Sequence, residues 1–503
     1  MSNNPQSSYR QIFKATSLFG GVQVFNILIA IIRSKIIAVL LGPTGMGISG
    51  LFTSTTSLVG SLTNFGLGTS AVRNISEARE TNDKDRISKV IAVLRRLVWI
   101  TGVLGLLLTF ILAPTLSKLT FGNENYTIAF RWLSITLLFN QLTSGQNVLL
   151  QGMRRLKFLA QTNLIGSAVG LLISVPLYYF YRIDGIVPAL IISSFASLII
   201  AWSYSRRIKT EPAKINKHET LSEGKSMLTL GFMLSLSGLI ATAASYIIRA
   251  YISNTGSLDD VGLYNAGFAI IGSYVGLIFT AMGTDYYPRL SGIAQDNVKA
   301  KELMNQQAEI ALLIIGPILC IFLIFANWAV ILLYSTKFTP INGMIQWSAL
   351  GMYFKAATFS IGYIFLAKGA AKLFFWSEFI GNVYILLLNM AGYHFLGLNG
   401  LGISFMLGYF LYFIQVYIIT RKKYGFSFNR LFFNLFFIQF LLGLGCFFII
   451  FFMPTPWAYL GGTLLIGISA YHSFVELNKR LNIKEAIINI KRKRENGRNH
   501  EQQ

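Results

Sequence analysis

Arg33 and Lys35 lie inside FNILIAIIRSKIIAVLLGP (25–43), a stretch as long and as apolar as a membrane-spanning helix. A positive charge at the centre of such a helix costs about 2.5–3.5 kcal/mol even on the lenient insertion scale. A charge kept at that cost faces either a polar cavity or a neighbouring helix. Residues three, four and seven apart share a helix face, so Gln23, Asn26 and Arg33 form one polar stripe and Lys35 points elsewhere. Arg33 is therefore the cavity candidate, with helix packing or snorkelling as its other role, and Lys35 fits the second role better. Arg249 shares a stripe with Thr242 and Ser245 and has the same two roles open to it. Lys355, isolated in GMYFKAATFS, favours cavity exposure. Asn140 and Asn147 share a stripe with Thr143 or Ser144, suited either to sugar contact or to interhelical hydrogen bonding.

The acids are distributed differently. None falls within the first six apolar runs; later runs hold Asp285 and Glu309 near one end and Glu378 one turn in. Asp285 and Glu378 are candidates for H⁺ or Na⁺ coupling, or ordinary interfacial carboxylates. A cavity of cations and amides suits an anion, and phosphate accepts both the arginine fork and the lysine point charge. The four histidines lack metal-ligand spacing, and Cys320 and Cys446 sit in apolar runs, so neither a zinc site nor a disulfide framework is expected. No cofactor is implied. No nucleophile, base and orienting group cluster in any outer loop, so an enzyme is not expected.

The elements that must position these residues are membrane spans. The chain is 53% hydrophobic and only 13% charged, a composition outside the soluble globular range. Apolar runs about 20 residues long, enough to cross the hydrocarbon as a helix, occur near 18–41, 46–68, 97–117, 129–150, 158–181, 185–205, 227–253, 262–284, 308–334, 344–367, 373–394, 398–420, 431–452 and 457–475. The expected fold is an all-α polytopic membrane protein of 14 transmembrane helices. Lys and Arg collect in alternate loops: one set holds Arg73 to Arg96, Arg154 to Lys157, the 206–225 segment and Arg421 to Lys423, the other only Lys118, Arg131, Arg182 and Lys337. By the positive-inside rule both termini are cytoplasmic. The net charge of +23 is thus a topology signal, dispersed over loops, and nucleic acid is not expected as a partner. No cleavable signal peptide is read at the N-terminus, where the first apolar run is a full span.

The chain also repeats itself at a spacing of 215 residues: Trp132 with Trp347, Lys157 with Lys372, Gly166 with Gly381, Gly185 with Gly400. At 216, Ile31-Ile32-Arg33 matches Ile247-Ile248-Arg249. Six spans per copy make the repeats parallel, related by an axis along the membrane normal. The expected organisation is a six-helix bundle (1–205), a cytoplasmic linker (206–226), a second six-helix bundle (227–420), an added helix pair (421–476) and a basic cytoplasmic tail (477–503). Residues 73–96 and 289–307 read as basic amphipathic helices on the inner surface, and the tail from Asn478 is expected to meet anionic headgroups.

The segments RSKIIAVLLGPTGMGISGLF (33–52), NFGLGTSAVRNISEA (64–78), LLQGMRRLKFLA (149–160) and DDVGLYNAGF (259–268) resemble the O-antigen translocases. These are Wzx-type flippases of the multidrug/oligosaccharidyl-lipid/polysaccharide superfamily. The resemblance runs from about 12 to 475 and implies a MATE-like fold. It implies transfer of an undecaprenyl-diphosphate-linked oligosaccharide (O-antigen, common-antigen or capsule repeat unit) from the cytoplasmic to the periplasmic leaflet of a bacterial inner membrane. It further implies diphosphate contacts at Arg33 and Arg249, the last helix pair beside the prenyl tail, membrane lipids as surroundings and polysaccharide assembly proteins as partners. A drug or metabolite exporter of the same superfamily is the main rival, disfavoured by the lack of carboxylates in spans 1 and 7. A membrane glycosyltransferase or polymerase is a second; it needs a larger outer loop than 118–130 offers.

Overall fold

The computed structural model describes residues 25–81, 83–208 and 217–481, and every regular element among them is helical. A first helix, α1, spans 25–40. Then follow α2 (Gly42–Thr63), α3 (Leu67–Glu80), α4 (Lys84–Ile111), α5 (Ala113–Phe121), α6 (Thr127–Gly152), α7 (Leu156–Tyr181), α8 (Ile186–Ser205), α9 (Lys217–Thr255) and α10 (Leu258–Phe268). After a π-helical turn come α11 (Leu277–Ile293), α12 (Asn297–Leu333), α13 (Asn342–Ala367), α14 (Ala371–Tyr424), α15 (Arg430–Phe452) and α16 (Thr455–Leu481). Local signals set the ends. Pro43 occupies the first turn of α2, Asp83 caps α4 by accepting from the Asp85 and Arg86 amides, and Asn429 caps α15 through the Phe432 amide.

The described residues form two compact units, one up to Ala266 together with Leu333–Phe338 and the other Gly267–Leu332 together with those from Thr339 on. In the first, α3, α4 and α6 enclose an apolar core that includes Leu67, Ile75, Ile91, Leu94, Leu142 and Leu149. Helices α7 and α8 pack as a hairpin, α8 lies on α6, and α9 lies against α2 and α3. In the second, α13 is the hub, packed on α11, α14 and α15, with α16 against α15.

Fourteen separate spans are expected from the sequence; among the described residues, eight helical stretches are long and apolar enough to cross a membrane. The difference has physical sources. Leu156–Ser205 and Ala371–Tyr424 run for 50 and 54 residues, each more than twice the length one crossing needs. Each contains one residue that reverses the chain: Arg182 at φ 52°, ψ −128° and Gly397 at φ 58°, ψ −140°. Helices α2 and α6 are long enough, but their Ser, Thr, Asn and Gln content makes them less apolar, and they line a polar cavity. The run at 262–284 is interrupted by the π-turn, and residues before 25 lie outside the described set. The basic loops differ too. Residues 73–96 are not one surface helix: α3 stops at Glu80, and α4 starts at Lys84 and continues into its apolar span.

Two local geometries recur 215 residues apart. The reversals at Arg182 and Gly397 are one pair. The other is the end of α6, where Arg154 (φ 53°) mirrors Gly369 (φ 66°) after α13. In both, a six-to-one bond closes the helix, from the Arg155 amide to Leu150 and from the Ala370 amide to Phe365, each 2.8 Å.

Residues 215 apart also touch. Thr44 donates to the Asp259 carboxylate. A Cβ on Gly47 would lie 2.1 Å from the Leu258 carbonyl, and one on Gly262 would lie 1.9 Å from the Pro43 carbonyl, so only glycine lets α2 and α10 cross here. At the next turn the Asn265 amide fills the space left by Gly50.

Candidate functional site: a polar cavity with one arginine

Within the first unit, α1, α2, α6, α7 and α8 enclose a cavity of about 730 Å³. Asn26, Arg33, Asn140 and Asn147, named from sequence stripes, all line it. The remaining lining is mostly hydroxyl and amide, with Arg33 the one charged residue among the described lining residues. Gln23 lies outside the described residues.

The arginine is accommodated by a gap in α7. A Cβ on Gly170 would stand 2.7 Å from an Arg33 guanidinium nitrogen, so the missing side chain makes room for the charge. Four side-chain atoms of this lining are buried without a hydrogen-bond partner among the described residues: Asn26 Oδ1, Arg33 Nε, Asn147 Oδ1 and Thr162 Oγ1. Buried polar groups are ordinarily paired, so these donors and acceptors mark the wall of this cavity as strongly polar.

Arg249 is in a different condition. Its Nε donates to Asn265 Oδ1 at 2.6 Å, one terminal nitrogen donates to the Ser245 carbonyl and hydroxyl, and the guanidinium lies 5.5 Å from the Tyr264 ring centre. It lines a separate cavity of about 520 Å³ with Thr242, Ser245 and Asn265. Thr53 and Ser57 of α2 border both cavities. Sequence reading missed this α2 stripe, although Thr53, Ser57, Gly60 and Asn64 recur at helical spacing and were legible as a polar face.

In the second unit, Lys355 and Glu378 line one cavity of about 340 Å³. The Lys355 ammonium lies 5.1 Å from the Tyr409 ring centre and 5.9 Å from that of Phe279. Glu378 accepts a hydrogen bond from Tyr412. The aromatic wall of Phe359, Tyr363, Phe374, Tyr409 and Tyr412 was not anticipated, because aromatics in an apolar run carry no signal of which face they occupy. Asp285, the other coupling candidate, is not in this group; it is exposed and pairs with Arg289 at 3.2 Å.

A further ionic cluster joins α12, α15 and α16. Glu309, 6% exposed, accepts from Arg480 Nε at 3.0 Å and from Asn429 at 2.8 Å, while Arg480 also bonds Glu476. Arg480 is therefore turned inward, unlike the headgroup-facing tail expected from Asn478 onward. Among the described residues no group of three His, Cys, Asp or Glu side chains could hold a metal.

Helices long and apolar enough to span a bilayer, grouped around polar cavities, make an all-helical polytopic fold. It is shared with an inward-facing multidrug resistance MATE family transporter of the MOP superfamily, at TM-score 0.70, 16% identity and coverage of 80% of this chain and 94% of that one. It is shared too with the lipid II flippase MurJ in an inward closed conformation, at TM-score 0.65 and 13% identity, covering 92% and 99%. A family model described as "Polysaccharide biosynthesis protein" matches residues 36–342, and the chain belongs to that family. The lipid III flippase of Escherichia coli (strain K12) is 22% identical over 407 residues, which cover 77% of this chain and 94% of the relative.

Proposed function

We propose that the protein is a flippase for an undecaprenyl-diphosphate-linked oligosaccharide, of O-antigen or common-antigen type, working as a multi-pass protein of the bacterial inner membrane. The observation that carries the reading is the cavity of the first unit: Arg33 among amide and hydroxyl side chains, with no carboxylate among the described lining residues. Arg33 binds the diphosphate, and Asn26, Asn140, Asn147 and Gln23 bind phosphate oxygens or sugar hydroxyls. Arg249, at the cost of its bond to Asn265, and Lys355, each in a cavity of its own, are further proposed substrate contacts. The name of the lipid III flippase relative supports the same cargo class.

The finer architecture belongs to this reading. Fourteen spans form two parallel six-helix repeats (1–205 and 227–420, joined by 206–226) plus the pair in 421–476 and the tail 477–503, both termini cytoplasmic. Support comes from the recurring turns at Arg182 and Gly397 and at Arg154 and Gly369, and from contacts between residues 215 apart. Rocking of the repeats carries the headgroup outward, and the membrane potential helps: each negative charge leaving a negative interior gains about 2.3 kcal/mol per 100 mV. Glu378, bonded to Tyr412 and sharing a cavity with Lys355, supplies H⁺ or Na⁺ coupling; a transport rate unchanged under imposed gradients of both ions would rule this out. Assembly enzymes as partners remain part of the proposal through the pathway alone.

The test is binding of a prenyl-diphosphate oligosaccharide to purified protein, with a prenyl alcohol lacking phosphate as control. Arg33→Ala is expected to weaken diphosphate binding by about 1.5–3 kcal/mol, as for loss of a charged hydrogen bond, and to leave the alcohol unaffected. Wild-type binding by Arg33→Ala, together with binding of organic cations, would replace the flippase by an exporter, the reading that the Glu378 cavity favours.

A further inference from the structure

On the first unit a groove of about 520 Å³ runs between α4, α6 and α8, separate from the polar cavity. Its floor is apolar, from Ile91, Leu94, Leu142 and Leu198 among others. Trp99 and Trp202 line it and are 54% and 51% exposed. Arg95 and Arg206 line it as well, both exposed, and no carboxylate does among the described residues.

The order of these residues is informative. On α4 the arginine comes four residues before the tryptophan; on α8 it comes four residues after. Consecutive spans alternate in direction, so α4 and α8, three crossings apart, run oppositely. Both helices therefore set an arginine one turn beyond a tryptophan toward the same membrane face, around one groove. Tryptophan favours the boundary between headgroup and acyl chain, and arginine at a helix end reaches the headgroup layer. The Arg206 guanidinium already rests on the Trp202 ring, 5.0 Å from its centre, leaving its fork edge open to an anion.

We propose that this groove binds an anionic phospholipid of the cytoplasmic leaflet, its phosphate between Arg95 and Arg206 and one acyl chain along the apolar floor. The lipid is a resident, not the cargo, and the site does not depend on what the protein transports. It has a route to influence transport, because α6 and α8 wall both spaces: Gln146 and Ser205, hydrogen-bonded to each other, face the groove, whereas Asn147 and Ser197 face the polar cavity.

The experiment is tryptophan quenching by phospholipids brominated on the acyl chain, with the full chain in nanodiscs. Brominated phosphatidylglycerol is compared with brominated phosphatidylcholine, and the signal of the groove is the part lost in W99F/W202F. Wild type is expected to show half-maximal quenching at about tenfold lower mole fraction of the anionic lipid, and R95Q/R206Q to equalise the two, since each basic side chain near the surface adds to the attraction. Equal quenching by both lipids in wild type would overturn the proposal, as would a preference that survives R95Q/R206Q. Displacement of the brominated lipid by equimolar undecaprenyl phosphate would assign the groove to the transported lipid instead. Matching melting temperatures of the variants establish that the fold is intact.

Discussion

Arg33 and Arg249 occupy equivalent sequence positions but different chemical states. Arg249 has hydrogen bonds to Asn265 and Ser245, so truncating it strands half-buried polar partners and costs stability as well as any binding. Arg33 keeps an unpaired Nε beside a glycine notch. Gly170→Val should therefore push the guanidinium aside and weaken diphosphate binding, by less than Arg33→Ala because the flexible arginine keeps its charge near the site. Titration calorimetry of the variant checks this; unimpaired binding would show that the notch does not set the arginine's position. The stripe of Asn26 and Arg33 was legible in the sequence because intramembrane polar residues at helical spacing have few uses. Whether an arginine was already paired was not legible, since its partners, such as Asn265 for Arg249, come from another helix.

Among the elements, α16 is held to the rest of its unit by more than apolar contact. Arg480, 19% exposed, bridges Glu476 on its own helix and Glu309 on α12, and Gln439 on α15 bonds Ser469 and Ser473 of α16. Removing one partner of a buried ion pair costs about 3–5 kcal/mol, because the other charge is stranded. Arg480→Ala is thus expected to lower the melting temperature markedly, and the double change Glu309→Gln with Arg480→Met to restore most of it. A double variant no better than the single one would mean that Glu476, left without its arginine, carries the loss. Sequence reading placed the last helix pair correctly as apolar runs but missed this anchor. A lone glutamate near the end of one run and an arginine in a basic tail give no sign of each other across 171 residues.

For the whole molecule, the asymmetric loop charges were the strongest signal, and they make an accessibility prediction. With Cys320 and Cys446, both buried, replaced by serine, a cysteine at Asp184 is expected to react with an impermeant maleimide from the periplasmic side. A cysteine at Arg155 is expected to react only after the membrane is opened. The reverse pattern would invert the topology. Long apolar runs, alternate basic loops and the 215-residue repeat were readable because each is a property of the chain alone. The number of separate helices was not. Whether 50 apolar residues form one rod or a hairpin rests on one backbone conformation, at Arg182 or Gly397, that hydropathy does not report.

The contacts between residues 215 apart carry one more consequence. In a self-complementary dimer each chain presents the same patch, so every residue on the two-fold axis meets its own copy, like against like. Two aspartates at such a point would repel, and two asparagines where Gly50 meets Asn265 would not fit. A single chain built from two copies, as proposed for this one, would be free of that rule. Here one side has become Thr44 and the other Asp259, a donor facing an acceptor, and one side has shed its side chain at Gly50 so that Asn265 can enter and hold Arg249. Covalent fusion of two identical ancestors would permit this division of labour, which no symmetric pair of subunits can reach by mutation of one gene.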